Sequence, residues 1–207
     1  MYIFLNKIGI NKFIHILKST TIGTNIFDRD WDILVLLDAC RVDALSAVAP
    51  EYEFLSGIDS LQSVGGHSSE SIAKTFVDEY EAEIRNTAYL SANVYTHQIL
   101  KSHHHNPVST RKDRTYKLLA KAPTVDVSTL GRIEHLYQFE PVGEVWPYGL
   151  VDGGTPPRYV TARGIAVGRT KQFDRLILHY LQPHTPFTAT AHREDRDLHR
   201  YEYDWWG

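Results

Sequence analysis

The sequence predicts a single α/β domain built on a mostly parallel sheet, and three observations carry that prediction. Ile33–Leu37 is an uninterrupted apolar run of strand length, the pattern of a strand buried on both faces and covered by helices. From Ser68 the pattern turns helical, with Ile72, Phe76, Tyr80 and Ile84 four residues apart, and a second strand candidate follows at 88–94. Phe173–Leu181 forms another apolar run after a further helical stretch, so strands alternate with helices as in a crossover-connected parallel sheet.

In chain order, residues 1–27 hold Lys7, Lys12 and Lys18 and no acid, among Ile3, Phe4, Leu5, Ile8, Phe13, Ile14, Ile16 and Leu17. Gly9 and the β-branched residues weaken an isolated helix there. The segment is expected to pack on the domain or extend from it; the alternative is a basic amphipathic helix in peripheral contact with an anionic membrane. The strand 33–37 leads into a short helix from Asp43 to Val48, closed by Pro50, and then into a small-residue loop, 57–66. After the strand at 88–94 comes a polar loop with His103, His104 and His105, expected to be solvated, and a basic helix over 111–121. A strand is expected at 133–139, a Gly/Pro-rich connection at 149–157 and a helix at 158–171, despite Gly164 and Gly168. The domain therefore spans 26–190, flanked by an N-terminal extension, 1–25, and a charged tail, 191–207, that ends in Trp205 and Trp206.

At 207 residues the chain suits one sizeable core. A net charge of −3 with 23% charged residues gives no reason to expect a nucleic-acid partner. The one cysteine, Cys40, excludes an intramolecular disulfide and a cysteine-based zinc site, which fits a reducing, cytoplasmic interior. No run reaches the roughly 18 apolar residues of a membrane span.

Asp38, Cys40, Arg41 and Asp43 stand at the C-terminal end of the first strand, where open α/β sheets bind ligands. The simpler reading is that the two acids cap the next helix. A second polar cluster, Gln182 to Phe187, follows the last strand.

Three segments in order, Asp30–Asp43 (DWDILVLLDACRVD), Gly65–Ile72 (GGHSSESI) and Leu178–Phe187 (LHYLQPHTPF), resemble the sulfatase-like proteins of archaea, which belong to the alkaline phosphatase superfamily. The resemblance covers about residues 26–188. It implies a three-layer αβα sandwich with a divalent metal ion (Mn, Ca, Mg or Zn) and a hydroxyl nucleophile at the carboxyl edge of the sheet. By that resemblance Asp38 ligates the metal, Ser68 or Ser69 attacks a sulfate or phosphate ester, and His179, His184 and Arg41 contact the substrate anion. The ester of a surface glycan is the substrate that the resemblance suggests.

The chain departs from the pattern in three places. His67-Ser68-Ser69-Glu70 stands where relatives carry a Ser/Thr-Pro-Glu-Trp type of sequence, so one register puts His67 at the nucleophile position. No Cys-x-Pro-x-Arg or Ser-x-Pro-x-Arg motif supports formylglycine chemistry. No late Asp-His-Gly motif completes the metal site, so the chain is expected to represent the N-terminal part of such a protein. It would then be either an impaired hydrolase or transferase, or a non-catalytic module of the same fold that associates with a complementing chain.

Overall fold

A computed structural model describes residues 2–5, 23–55, 60–102, 123–138 and 155–203. Five strands form one sheet: β1 (Tyr2–Leu5), β2 (Ile33–Leu37), β3 (Thr87–Ser91), β4 (Arg132–His135) and β5 (Arg175–Tyr180). Their order across the sheet is β1-β2-β5-β3-β4. The last four are mutually parallel, with Val35 opposite Leu178 and Tyr89 opposite Ile177, while β1 runs antiparallel along β2. The expected α/β class with a mostly parallel sheet is thus present.

The central strands β3 and β5 alternate between two apolar cores, whereas β2, expected to be buried on both faces, buries Leu34 alone and leaves Ile33, Val35, Leu36 and Leu37 half-buried beside the edge strand β1. Leu34, Tyr89 and Ile177 pack on one face with Ile72 from helix α2 (Ser68–Thr75) and with Ile99 and Leu100 from helix α4 (Val94–Ser102). Phe27, Trp31 and Phe76 close this core at 2–6% exposure. Ala88, Leu90 and Leu176 pack on the other face with Val160 and Val167 of helix α5 (Pro157–Thr170). Helices therefore lie on both sides of the sheet. Gly164, a weak point for a helix in isolation, lets α5 approach β5, because a Cβ there would stand 2.7 Å from the Leu178 side chain.

Several expected boundaries shift. The long helix expected from Ser68 to Ile84 breaks at Phe76, and helix α3 resumes only at Glu81–Arg85. The cause is tertiary: Val125 N donates to Phe76 O at 2.9 Å and Asp78 N to Pro123 O at 3.2 Å, so the backbone bonds a distant segment instead of its own next turn. Ile72, Phe76 and Ile84 remain buried, as their spacing requires. The strand expected over 88–94 stops at Ser91, because the Asn93 side chain accepts from Tyr95 N at 2.8 Å and starts α4. The strand expected over 133–139 occupies 132–135 and then tightens into a single 3-10 turn.

At the N-terminus, residues 2–5 are an edge strand of the sheet rather than part of a helix. In the charged tail, α6 (Thr188–Arg193) is followed by α7 (Arg200–Tyr203), and the buried Glu202 accepts two 2.8 Å bonds from Arg196. The expectations for residues 6–22, His103–His105, the helix over 111–121, most of 149–157, and Trp205 and Trp206 lie outside the described residues. Among the described residues no helix is long and apolar enough to cross a membrane.

Candidate functional site

The parallel strands end together, and their carboxyl ends bring Asp38, Asn93 and the 179–187 segment to one edge. Asp38 follows β2, and its N–H donates to Tyr180 O on β5 at 3.2 Å. A tight turn comes next, with Cys40 N bonded to Leu37 O at 3.3 Å and Ala39 at φ 59°. That left-handed conformation is costly for a residue with a Cβ, by about 1–2 kcal/mol. The turn points the chain into helix α1 (Val42–Val48), which buries none of its side chains.

Two partners reach the half-buried Asp38 carboxylate from other elements. Asn93, 3% exposed at the end of β3, donates from Nδ2 to Asp38 Oδ2 at 2.8 Å. Ser68, the first residue of α2, lies with its Oγ 3.4 Å from Oδ1 and 3.5 Å from Oδ2. α2 starts there because His67 caps it, with Nδ1 accepting from Glu70 N at 3.3 Å. The loop before it passes close over the helix: a Cβ on Gly65 would stand 2.3 Å from Ser71 N.

The other expected site residues separate into distinct surroundings. Ser69 is 2% exposed and bonds His67 Nδ1 at 2.8 Å, so it is held within its own turn while Ser68 faces Asp38. His67 is occupied as a cap and as the partner of Ser69. His179 is buried on the same sheet face as Tyr89, whose hydroxyl lies 2.7 Å from His179 Nδ1, and the two rings are nearly coplanar at 5°. Burial drives the His179 pKa down to about 4, while the neighbouring Asp38 charge pulls it the other way. This imidazole is neutral at pH 7. His184 is half-buried and donates from Nδ1 to Thr185 O at 3.0 Å, in a turn flanked by Pro183 and Pro186. Arg41 turns outward and binds both oxygens of Asp43 at 2.9 Å, which holds the Asp43 carboxyl below its ordinary range.

Asn93 is the site residue that the sequence reading missed. Its signal was present, since an asparagine two residues after a buried strand and directly before a helical run marks an N-cap at a strand's carboxyl end. A second polar group stands further along the same edge, where His97 Nδ1 lies 2.7 Å from the Tyr137 hydroxyl and its ring stacks on His135 at 4.7 Å between centroids.

A divalent ion at Asp38 would draw on one carboxylate and one hydroxyl. Among the described residues no three His, Cys, Asp or Glu side chains are grouped to hold a metal ion. A hard cation takes about six to eight oxygen ligands, or keeps several waters when fewer protein groups reach it. These donors fall short of such a site. What the arrangement can do on its own is orient a serine hydroxyl against a carboxylate that a buried amide fixes in place.

Fold and site together define an α/β protein with a polar cluster at the carboxyl edge of its parallel strands. No family model, no curated protein and no solved structure matches the chain.

Proposed function

We propose that this protein is a sulfatase-like hydrolase or transferase acting on a sulfate or phosphate ester, with Ser68 as the attacking hydroxyl. The observation that carries this reading is the approach of Ser68 Oγ to the Asp38 carboxylate at the start of α2. In such a step Asp38 accepts the Ser68 proton, and Oγ forms a bond to sulfur or phosphorus as the ester oxygen leaves with its electron pair. The leaving oxygen takes a proton from water. A second water, or an acceptor hydroxyl in a transferase, then attacks sulfur or phosphorus; Ser68 Oγ leaves and takes back the proton held by Asp38, and the proton of the attacking group neutralises the hydroxide left by the first water. The backbone N–H groups of Ser68 and Ser69, which precede the two that His67 engages, are suited to the nonbridging oxygens. The αβα sandwich of the alkaline phosphatase type is part of this proposal, supported by helices on both faces of the sheet.

A divalent ion belongs to the proposal through the sequence resemblance alone. Calorimetric titration with manganese, calcium, magnesium and zinc tests it directly, beside an Asp38→Ala control. Binding that disappears in the control, together with hydrolysis of phenyl phosphate or phenyl sulfate, supports the reading. Absence of both overturns it.

The second reading, a non-catalytic module of the same fold that associates with another chain, draws on different residues. Ile33, Val35 and Leu37 of β2 are only half-buried, and Val42 and Val48 on α1 are 43% and 41% exposed. Concentration-dependent sedimentation of a protein that binds no metal and cleaves no ester would favour it.

A further inference from the structure

Beside Asp38 lies an open pocket of about 270 Å³ whose walls come from the two segments that frame the candidate site. Ala39 and Ala44 form one wall, and Pro183 and Phe187 form the other. Ala39 directly follows Asp38, and the Pro183–Phe187 segment follows β5, whose Tyr180 carbonyl accepts the Asp38 N–H. The pocket and the carboxylate therefore share the same pair of strand ends. Phe187 is 49% exposed, and its backbone is fixed by a 2.7 Å bond from its N–H to Glu202 O.

The remaining lining is polar, yet it carries little net charge into the pocket. Arg41 is matched by both oxygens of Asp43 at 2.9 Å, and the Nδ1 of His184 is engaged by the Thr185 carbonyl. A second anion would find no unmatched arginine here. An uncharged apolar group would meet aliphatic walls and an aromatic face. Size sets a further limit. An apolar cavity of about 150 Å³ holds benzene, and drug-sized ligands use about 300–1,000 Å³, so 270 Å³ suits one substituted ring.

We infer that this pocket takes a single uncharged aromatic ring, the alcohol portion of an aryl ester whose charged group lies toward Asp38 and Ser68. The assignment of the ring as part of an ester rests on the proposed function; the binding of the ring does not. Phe187 is then a specificity-determining residue, stacking on the aryl group in preference to an aliphatic one.

The test is titration of the full chain with phenol at pH 7, followed by amide chemical shifts, with cyclohexanol as the aliphatic comparison. Saturable shifts at Ala39, Ala44, Thr185 and Phe187 are expected, with phenol binding more tightly than cyclohexanol. Phe187→Ala should weaken phenol by about two- to tenfold, and Ala44→Trp, at an exposed position of α1, should abolish binding by filling the pocket. A circular dichroism spectrum and melting temperature like those of the wild type establish that each variant is folded. Absence of saturable shifts, shifts confined to another surface, or undiminished binding by Ala44→Trp would overturn the inference. Phenol bound here with no cleavage of phenyl phosphate or phenyl sulfate leaves the ring subsite standing and removes the ester reading. Cleavage without phenol binding does the reverse.

Discussion

Asn93 Nδ2 donates to Asp38 Oδ2 at 2.8 Å across 55 residues of sequence, joining the ends of two strands that are not neighbours in the sheet. β5 lies between them, so this bond spans the candidate site. The same asparagine caps α4 through Oδ1. One side chain therefore sets both a helix start and the orientation of the carboxylate.

Replacing Asn93 separates these two tasks. Asn93→Ala removes the cap and the donor together and should cost about 2 kcal/mol in urea denaturation. Asn93→Asp retains a cap acceptor but sets a second carboxylate against Asp38. It should be less stable than the wild type at pH 7 and regain part of the difference as the pH falls and one carboxyl takes a proton.

Ser68 and Ser69 should behave oppositely. Ser68→Ala should abolish ester cleavage with a stability change within about 0.5 kcal/mol, since its bonds to Asp38 are long. Ser69→Ala should retain turnover and lose about 1 kcal/mol of stability, because it removes a buried 2.8 Å bond to His67. Turnover by Ser68→Ala equal to that of the wild type would refute the assigned nucleophile.

His179 makes stability depend on pH. Its folded-state pKa of about 4 lies below the ordinary 6.5, so the unfolded chain takes up this proton first as pH falls. The stability it contributes is fully present above pH 6.5 and is lost on descending to about pH 4, a change of order 3 kcal/mol. Denaturation of the wild type and of His179→Gln, compared from pH 8 to pH 4, should show this slope in the difference between the two. A difference that stays flat would mean that His179 is not held neutral.

Arg41→Gln should leave the affinity for inorganic sulfate or phosphate within about twofold, because its guanidinium is committed to Asp43 at the surface. A tenfold loss would place Arg41 in the anion site. By contrast, Gly65→Ala should displace the start of α2, since the new Cβ meets the backbone nitrogen of Ser71 at 2.3 Å and no flexible side chain can yield. A loss of more than about 2 kcal/mol is expected, read as a fall in melting temperature.

The residue types along the chain determined the class of fold and the position of its principal carboxylate. An apolar run such as Ile33–Leu37 favours a strand of a helix-covered parallel sheet, although only Leu34 of it is buried, and an aspartate directly after it emerges at the carboxyl edge. The four-residue spacing of Ile72, Phe76, Tyr80 and Ile84 marked residues that pack on one core, with Tyr80 half-buried and the other three buried, because burial depends on which side chains are apolar. It did not mark the break at Phe76, which follows from backbone bonds to residues 123–125. Local sequence also left Ser68 and Ser69 equivalent and gave Arg41 the look of an anion ligand. The tertiary structure turns Ser68 to Asp38 across 30 residues, whereas Ser69 and Arg41 are taken up by neighbours two residues away, His67 and Asp43. Strand-end convergence is a long-range property: the order β1-β2-β5-β3-β4, which sets Asp38 and Asn93 on either side of β5, depends on pairings between distant segments.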